Sequence, residues 1–177
     1  VAYYNFEEGS GSTVNDVSGN SNAGTWVGTG SHWTQGQYGK GGNLNGSDDY
    51  ISITDSTNSV LDVTNEITIG AWVKLNSVPT KAYEGIVTKD NAYILLMNSA
   101  GNGFVSYLYN GTTWIQGQDT GNLNLQPNTW YHITMTYTSG VYKIYKNGIV
   151  VSTDTDALTI STNNNPIRIG SDRLLAN

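Results

Sequence analysis

The acidic and nucleophilic residues of this sequence are poorly spaced for catalysis. Glycosidic hydrolysis needs two carboxyl groups that flank one bond. Glu7 and Glu8 are adjacent, so in a strand they point to opposite faces, and Glu66 stands alone. The histidines, His32 and His132, have no recognisable serine partner, and the chain has no cysteine. We therefore expect a binding module and not an enzyme.

A short loop offers oxygen atoms to a cation. Asp16, Asn20 and Asn22 lie within seven residues of one another, and Gly19 allows a tight bend between them. Carboxylate and amide oxygens of this kind are ligands for Ca²⁺, although the spacing is not that of an EF-hand. The alternative is an ordinary Asx turn, in which Asp16 and Asn20 accept hydrogen bonds from backbone amides. The residues alone leave both possibilities open.

A group of aromatic residues is a candidate platform for a sugar ring. Alternation places Tyr107 and Tyr109 on one face of a strand, and the turn signal Asn110-Gly111 brings Trp114 across from them. Flat amphipathic rings of this type can stack on sugars. The alternative is cross-strand aromatic packing with no ligand.

Polar residues near this platform are candidates for hydrogen bonds to the same ligand. They fall in loops or at strand ends, where binding residues of rigid β-sandwiches concentrate. The candidates are Lys89, Asp90, Asn91, Gln116, Arg168 and Asp172.

The composition narrows the classes of ligand. Charged residues make up 12% of the chain, about half the usual share of roughly 25%. The net charge of −6 argues against nucleic acid and anionic membrane surfaces, which require fields of Lys and Arg. No apolar run approaches the roughly 18 residues of a transmembrane helix. A surface of amides and hydroxyls, together with 12 Tyr and 5 Trp, favours neutral polar ligands.

The hydrophobic pattern predicts an all-β protein that forms a single domain over residues 1–177. Short apolar runs rich in β-branched and aromatic residues alternate with Gly, Asn and Asp clusters. Hairpin turns are expected at Asn102-Gly103, Asn110-Gly111, Ser139-Gly140 and Asn147-Gly148. These turns predict one antiparallel meander from about residue 86 to 151. Long glycine-rich connections in the first 60 residues favour jelly-roll or Greek-key crossovers.

Several motifs, in this order, resemble the laminin G-like, concanavalin A-like lectin/glucanase superfamily. They are Val1–Gly11 as a first strand and turn, the loop Asp16–Gly24, the stretch Gly39–Ile51, Ala71-Trp72-Val73, Asn128–His132, and Tyr145–Gly148. The resemblance implies an antiparallel jelly-roll β-sandwich and strengthens the expectation of calcium at Asp16, Asn20 and Asn22. It also implies that Trp72 and Trp130 are core residues. The closing strand that is typical of the family is not found before Asn177.

A second resemblance concerns ligand-contacting loops. Asp90-Asn91 is similar to a calcium-binding loop of pentraxins, and Asp172 falls where pentraxins have further acidic ligands. With a single carboxylate in that second segment, a plain hairpin turn at Asp90-Asn91 is favoured over a metal site.

The sequence thus predicts a non-catalytic carbohydrate-binding module with a structural calcium, from a secreted or cell-surface protein with further domains. The expected partner is a polysaccharide or other glycan, with no nucleic acid and no membrane insertion. A structural or adhesion module that binds no glycan is the alternative, and a glycan-active enzyme of the same fold is the third possibility.

Overall fold

The computed structural model describes residues 1–57, 59–77 and 84–171. Within these ranges the chain forms an eight-stranded sheet, a four-stranded sheet and a short two-stranded hairpin, with antiparallel pairing throughout. We call the first two the large sheet and the small sheet. The predicted antiparallel jelly-roll β-sandwich is confirmed.

The large sheet has the strand order β1-β2-β5-β14-β7-β8-β9-β10. Its strands are β1 (Thr13–Val14), β2 (Gly24–Val27), β5 (Tyr50–Ile53), β7 (Gly85–Lys89), β8 (Tyr93–Met97), β9 (Phe104–Tyr109), β10 (Trp114–Gln116) and β14 (Ile167–Ile169). The small sheet has the order β13-β12-β11-β6. Its strands are β6 (Glu66–Lys74), β11 (Trp130–Thr138), β12 (Val141–Lys146) and β13 (Ile149–Thr155). The separate hairpin consists of β3 (Trp33–Gln35) and β4 (Lys40–Gly42).

The turns follow from residues that tolerate positive φ. Asn147 and Gly148 have φ of 51° and 81° and connect β12 to β13. Ser139 and Gly140 have φ of 50° and 81° and connect β11 to β12. A pair of positive φ values is the requirement of the type I′ turn, whose twist matches that of the flanking strands. The hairpins predicted at these sites are therefore present.

The predicted continuous meander is wrong in one respect. Strands β7 to β10 form a meander in the large sheet, and β6, β11, β12 and β13 belong to the small sheet. The chain changes sheets between Gln116 and Trp130. Leu125 is buried in this connection, so the crossing segment contributes to the core instead of forming another hairpin.

The core lies between the two sheets. Apolar residues that alternate along the strands supply it from both sides. The large sheet contributes Ile51, Ile53, Leu95, Phe104 and Leu108, and the small sheet contributes Ile133, Met135, Tyr137, Tyr142 and Ile144.

The first residues of the chain differ from the prediction. Val1–Gly11 does not contain a strand, and the first strand is Thr13–Val14. Ala2, Tyr4 and Phe6 nevertheless pack against the core. Within the described ranges, no helix is long and apolar enough to cross a membrane.

Candidate functional site

An open cleft of about 480 Å³ lies on the outer face of the small sheet. Its volume falls in the range of about 300–1,000 Å³ that is typical of ligand sites. Aromatic rings and neutral amides form its lining, which consists of Gln37, Trp72, Trp130, His132 and Asn147.

The floor of the cleft is a cross-strand aromatic pair. Trp72 on β6 and His132 on β11 are directly opposite each other, and their ring centroids lie 5.2 Å apart at an interplanar angle of 54°. The neighbouring positions Ile69, Ile133 and Met135 point to the core and are buried. Because successive side chains alternate between faces, Trp72 and His132 are directed outward. Trp72 keeps 42% of its surface exposed.

The turn between β3 and β4 provides one wall. It carries Gln37 and Tyr38, and the ring of Tyr38 meets the Trp72 ring edge-on with centroids 5.7 Å apart. Tyr38 is 71% exposed, so it is available to contact a ligand above Trp72.

The turn between β12 and β13 provides the opposite rim. The side-chain oxygen of Asn147 accepts a hydrogen bond of 2.8 Å from the backbone nitrogen of His132. The backbone nitrogen of Asn147 donates to the carbonyl oxygen of His132, also at 2.8 Å. These two bonds fix the amide of Asn147 beside the imidazole.

The lining carries no carboxylate. A cation lies beside the lining, since the ammonium nitrogen of Lys74 is 5.1 Å from the centroid of the Trp130 ring. The cleft presents aromatic faces and uncharged hydrogen-bonding groups to a ligand.

The structure corrects the assignment of Trp72 and Trp130 to the core. Both lie on the outer face of the small sheet, where Trp72 is exposed and Trp130 is half-buried. The sequence of β6 already indicated this position, because alternate side chains of a strand point to opposite faces. Trp72 shares its face with the small or polar residues Thr68, Gly70 and Lys74. The opposite face carries the apolar residues Ile67, Ile69, Ala71 and Val73.

The aromatic residues predicted as a sugar platform come together on the outer face of the large sheet. Tyr109 and Trp114 are cross-strand partners with centroids 5.2 Å apart and a tilt of 50°. The hydroxyl of Tyr107 donates to the side-chain oxygen of Gln116 at 3.1 Å. All three rings are half-buried, and Tyr107 and Trp114 pack on a buried apolar cluster of Ile94, Leu96 and Val105. The tilt means that Tyr109 and Trp114 do not form one flat surface.

Arg168 lies on the same outer face but several strands away. A row of cross-strand partners runs from Arg168 to Gln116 by way of Thr88, Ile94 and Tyr107. Four strand spacings separate Arg168 from Gln116, or about 19 Å at roughly 4.8 Å per strand. Arg168 instead stacks on Tyr50, with its guanidinium carbon 5.6 Å from the ring centroid. It cannot contact the same sugar ring as Trp114.

Lys89 is not at the surface, contrary to the prediction. Its side chain is fully buried and its ammonium nitrogen contacts the carboxylates of Asp55 and Asp62 at 2.5 and 2.6 Å. Burial raises the pKa of Asp55, but its hydrogen bond with Lys89 and other contacts outweigh this and hold that pKa below its ordinary value. Lys89 therefore cannot contact an external ligand.

The other predicted loop residues form a turn. Asp90 and Asn91 connect β7 to β8, and Asn91 has a φ of 53°. The side chain of Asn163 donates to the backbone oxygens of Asp90 and Asn91 at 3.0 and 2.9 Å. These contacts are those of a plain hairpin turn at Asp90-Asn91. Asp172 lies outside the described residues.

Hydrogen bonds from amide groups to the carboxylate of Asp16 hold its loop in place. One carboxylate oxygen of Asp16 accepts from the backbone nitrogens of Tyr3 and Ser18, at 3.0 and 2.9 Å. The other accepts from the backbone and side-chain nitrogens of Asn22, at 3.0 and 2.9 Å. Burial raises the pKa of Asp16, but these bonds and one from the Ser18 side chain hold it well below its ordinary value.

These residues do not fit a calcium site in this arrangement. The carboxylate of Asp16 is surrounded by hydrogen-bond donors, and the side-chain nitrogen of Asn20 turns to the carbonyl oxygen of Val1 at 2.9 Å. Ca²⁺ requires oxygen ligands, and it would have to displace those donors. In the part of the chain that the structure describes, no three His, Asp or Glu side chains gather as metal ligands.

Two packed antiparallel sheets with long crossovers define the jelly-roll class of β-sandwich. The sequence agrees with this class. The profile of the concanavalin A-like lectin/glucanases superfamily matches residues 45–177. The chain belongs to this family, as the motifs in its sequence indicated.

Solved structures share the fold at low sequence identity. Domain 4 of AbnA, an extracellular arabinanase from Geobacillus stearothermophilus in complex with arabinotriose, is 22% identical with a TM-score of 0.71. The match covers 97% of this chain and 82% of that one. The botulinum neurotoxin serotype D binding domain is 16% identical with a TM-score of 0.70, over 98% of this chain and 44% of the toxin domain.

A third similar structure is the carbohydrate-binding module CBM66 from Bacillus subtilis. It is 16% identical with a TM-score of 0.50, over 84% of this chain and 88% of the module. No match was found among curated protein sequences.

Proposed function

We propose that this domain is a non-catalytic module that binds a neutral polysaccharide in the cleft of the small sheet. The observation that carries the proposal is the exposed ring of Trp72, set between Tyr38 and His132 in a cleft with amides at its rim. Single exposed apolar residues are common on protein surfaces, whereas a contiguous group of exposed aromatic rings is typical of a binding site, where aromatic residues are frequent anchors.

The chemistry of the lining supports a neutral sugar. Trp72 and Tyr38 offer faces for the apolar side of a sugar ring. Gln37 and Asn147 offer amide groups of the kind that hydrogen-bond hydroxyls. No carboxylate lines the cleft, so the lining holds no pair of acids that could flank a glycosidic bond.

The similar structures give independent support. The arabinanase domain is described in complex with arabinotriose, and CBM66 is named a carbohydrate-binding module. At these identities the likeness is one of fold, and the proposal for this chain rests on its own cleft.

The proposal includes a location. The first of these neighbours is one domain of an extracellular enzyme, and the low charge and absence of cysteine in this chain are compatible with export. We propose that the domain works outside the cell, joined to other domains that it holds close to a polysaccharide.

A panel of soluble polysaccharides tests the function. The unmodified protein is run in native affinity gels that contain neutral arabinan, xylan, glucan, mannan or fructan, with polygalacturonate as an anionic comparison. Retardation by at least one neutral polymer, with no release of reducing ends on long incubation, is the expected result. Release of reducing ends would make the domain an enzyme, and no retardation by any polymer would favour an adhesion or spacer role.

A further inference from the structure

A lysine and two aspartates are enclosed in the core, away from the cleft. Lys89 has no exposed side-chain surface, Asp55 has none, and Asp62 retains 10%. The ammonium nitrogen of Lys89 lies 2.5 Å from an oxygen of Asp55 and 2.6 Å from an oxygen of Asp62. The glycan site uses none of these residues.

The surroundings of Lys89 are apolar. Its cross-strand neighbours are Ile167 on β14 and Tyr93 on β8, and both are buried. The hydroxyl of Tyr93 donates to the backbone oxygen of Leu61 at 3.2 Å. Burial raises the pKa of Tyr93, and the nearby charges of Asp55 and Asp62 raise it further. Burial alone disfavours charged groups here, and the contact with Lys89 is what holds Asp55 ionised.

The charges do not cancel. One ammonium faces two carboxylates, so the fully ionised cluster has an excess negative charge in the core. Buried ions are costly, and a proton that moves from the amine to Asp62 reduces the number of buried charges from three to one. That transfer leaves a neutral amine in contact with a carboxylic acid, which are the reactants of amide formation.

We propose that Lys89 and Asp62 form an intramolecular isopeptide bond, with Asp55 as the proton carrier. The ammonium of Lys89 passes one proton to the carboxylate of Asp62, and the amine nitrogen then attacks Cγ of Asp62. Asp55 takes a second proton from the attacking nitrogen and gives it to the departing hydroxyl. A nitrogen–carbon bond forms, a carbon–oxygen bond breaks, and one water molecule leaves, with no oxidant or other reactant required.

The exposure of the two aspartates assigns their roles. Asp62 is the carboxylate with a route to solvent, so water released at its Cγ can leave. Asp55 is fully enclosed and contacts the same nitrogen, which is the position of a group that moves a proton without reacting. Condensation makes the neutral state of Lys89 and Asp62 permanent, and Asp55 then holds the one remaining charge of the cluster.

The bond would brace the sandwich. Lys89 ends strand β7, in the interior of the large sheet, and Asp62 lies in the connection from β5 of the large sheet to β6 of the small sheet. An isopeptide bond here would tie β7 of the large sheet covalently to the connection that leads into the small sheet. A domain that is pulled while it holds a polymer would gain resistance to unfolding.

Intact mass spectrometry of the denatured protein tests the proposal without any variant. The expected mass is that of the sequence less one water molecule, and proteolysis is expected to release a branched peptide that joins Lys89 to Asp62. The Asp55→Asn variant retains both reacting residues, and it is expected to have the full sequence mass. The Lys89→Met variant provides a second control with the same expectation.

The contradicting results are equally definite. The full sequence mass in the unmodified protein would show that the cluster is only an ion pair. Loss of water that persists in Lys89→Met, or a branch located at another residue, would also overturn the proposal.

Discussion

Trp72 and His132 are cross-strand partners on the outer face of the small sheet, with ring centroids 5.2 Å apart. Both side chains occupy outward-facing positions of their strands, so their rings point to solvent and not to the core. Neither strand gains core packing from these side chains. Their contact can stabilise the sheet, and their rings can bind a ligand; the predictions below separate these two contributions.

Removing Tyr38 should weaken binding without affecting the fold. Tyr38 is 71% exposed and meets only the edge of Trp72, so Tyr38→Ala is expected to change the free energy of unfolding by about 0.5 kcal/mol or less. Affinity for the polysaccharide, measured by titration calorimetry, should fall several-fold. Tyr3→Ala is the matched control, because Tyr3 is also exposed, at 60%, but lies outside the cleft. Equal affinities for both variants would place Tyr38 outside the site.

Asn147 should matter for both stability and binding. It holds a φ of 51° and accepts the backbone hydrogen bond of His132, so Asn147→Ala is expected to cost about 1 kcal/mol of stability and to weaken binding. Gly140→Ala is the control, since it strains the turn at the opposite end of the β11–β12 pair, at a φ of 81°. This variant should lower the melting temperature measured by calorimetry, while its affinity for the polysaccharide survives. Loss of binding in both variants would mean that stability alone accounts for the effect.

Structural features that depend on neighbouring residues in the sequence were predictable, and features that depend on residues far apart in the sequence were not. The hairpin turns at Ser139-Gly140 and Asn147-Gly148 lie where they were predicted because turn residues are local signals. The position of Lys89 was not predictable in this way. Its partners Asp55 and Asp62 approach it only after β5, β6 and β7 have assembled, and a lysine without visible partners is expected at the surface.

The cleft was missed for a different reason. Tyr38, Trp72 and Asn147 come from three distant segments, and no local pattern joins them. The alternation phase of Trp72 was nevertheless readable, and it indicates the outer face. The resemblance to the family outweighed this local signal, and the local signal was correct.

Removal of divalent cations should leave the fold unchanged. The carboxylate of Asp16 is saturated by nitrogen donors, so the melting temperature is expected to be the same with EDTA as with added Ca²⁺. A lower melting temperature in EDTA that Ca²⁺ restores would revive the calcium site predicted at Asp16, Asn20 and Asn22.

Asp16 should instead make stability depend on pH. The pKa of this carboxyl is lowered in the folded protein, so its contribution to stability is present above the unfolded pKa of about 4 and is lost as pH falls through the folded value. Asp16→Asn is expected to be less stable than the unmodified protein at pH 7. Urea unfolding at several pH values between about 7 and 2 should show this gap narrowing toward acid. A gap that is constant over that range would contradict this role.

The account depends most directly on which sheet binds the ligand. Trp72 and Trp114 are tryptophans on the outer faces of the small and large sheets, so Trp72→Ala and Trp114→Ala form a matched pair. We predict that calorimetric titration with the best polysaccharide will show a loss of about 2 kcal/mol, roughly 30-fold in affinity, for Trp72→Ala. Trp114→Ala should bind like the unmodified protein. The reverse result, with binding lost only in Trp114→Ala, would contradict the cleft and establish the platform of Tyr107, Tyr109 and Trp114 as the site.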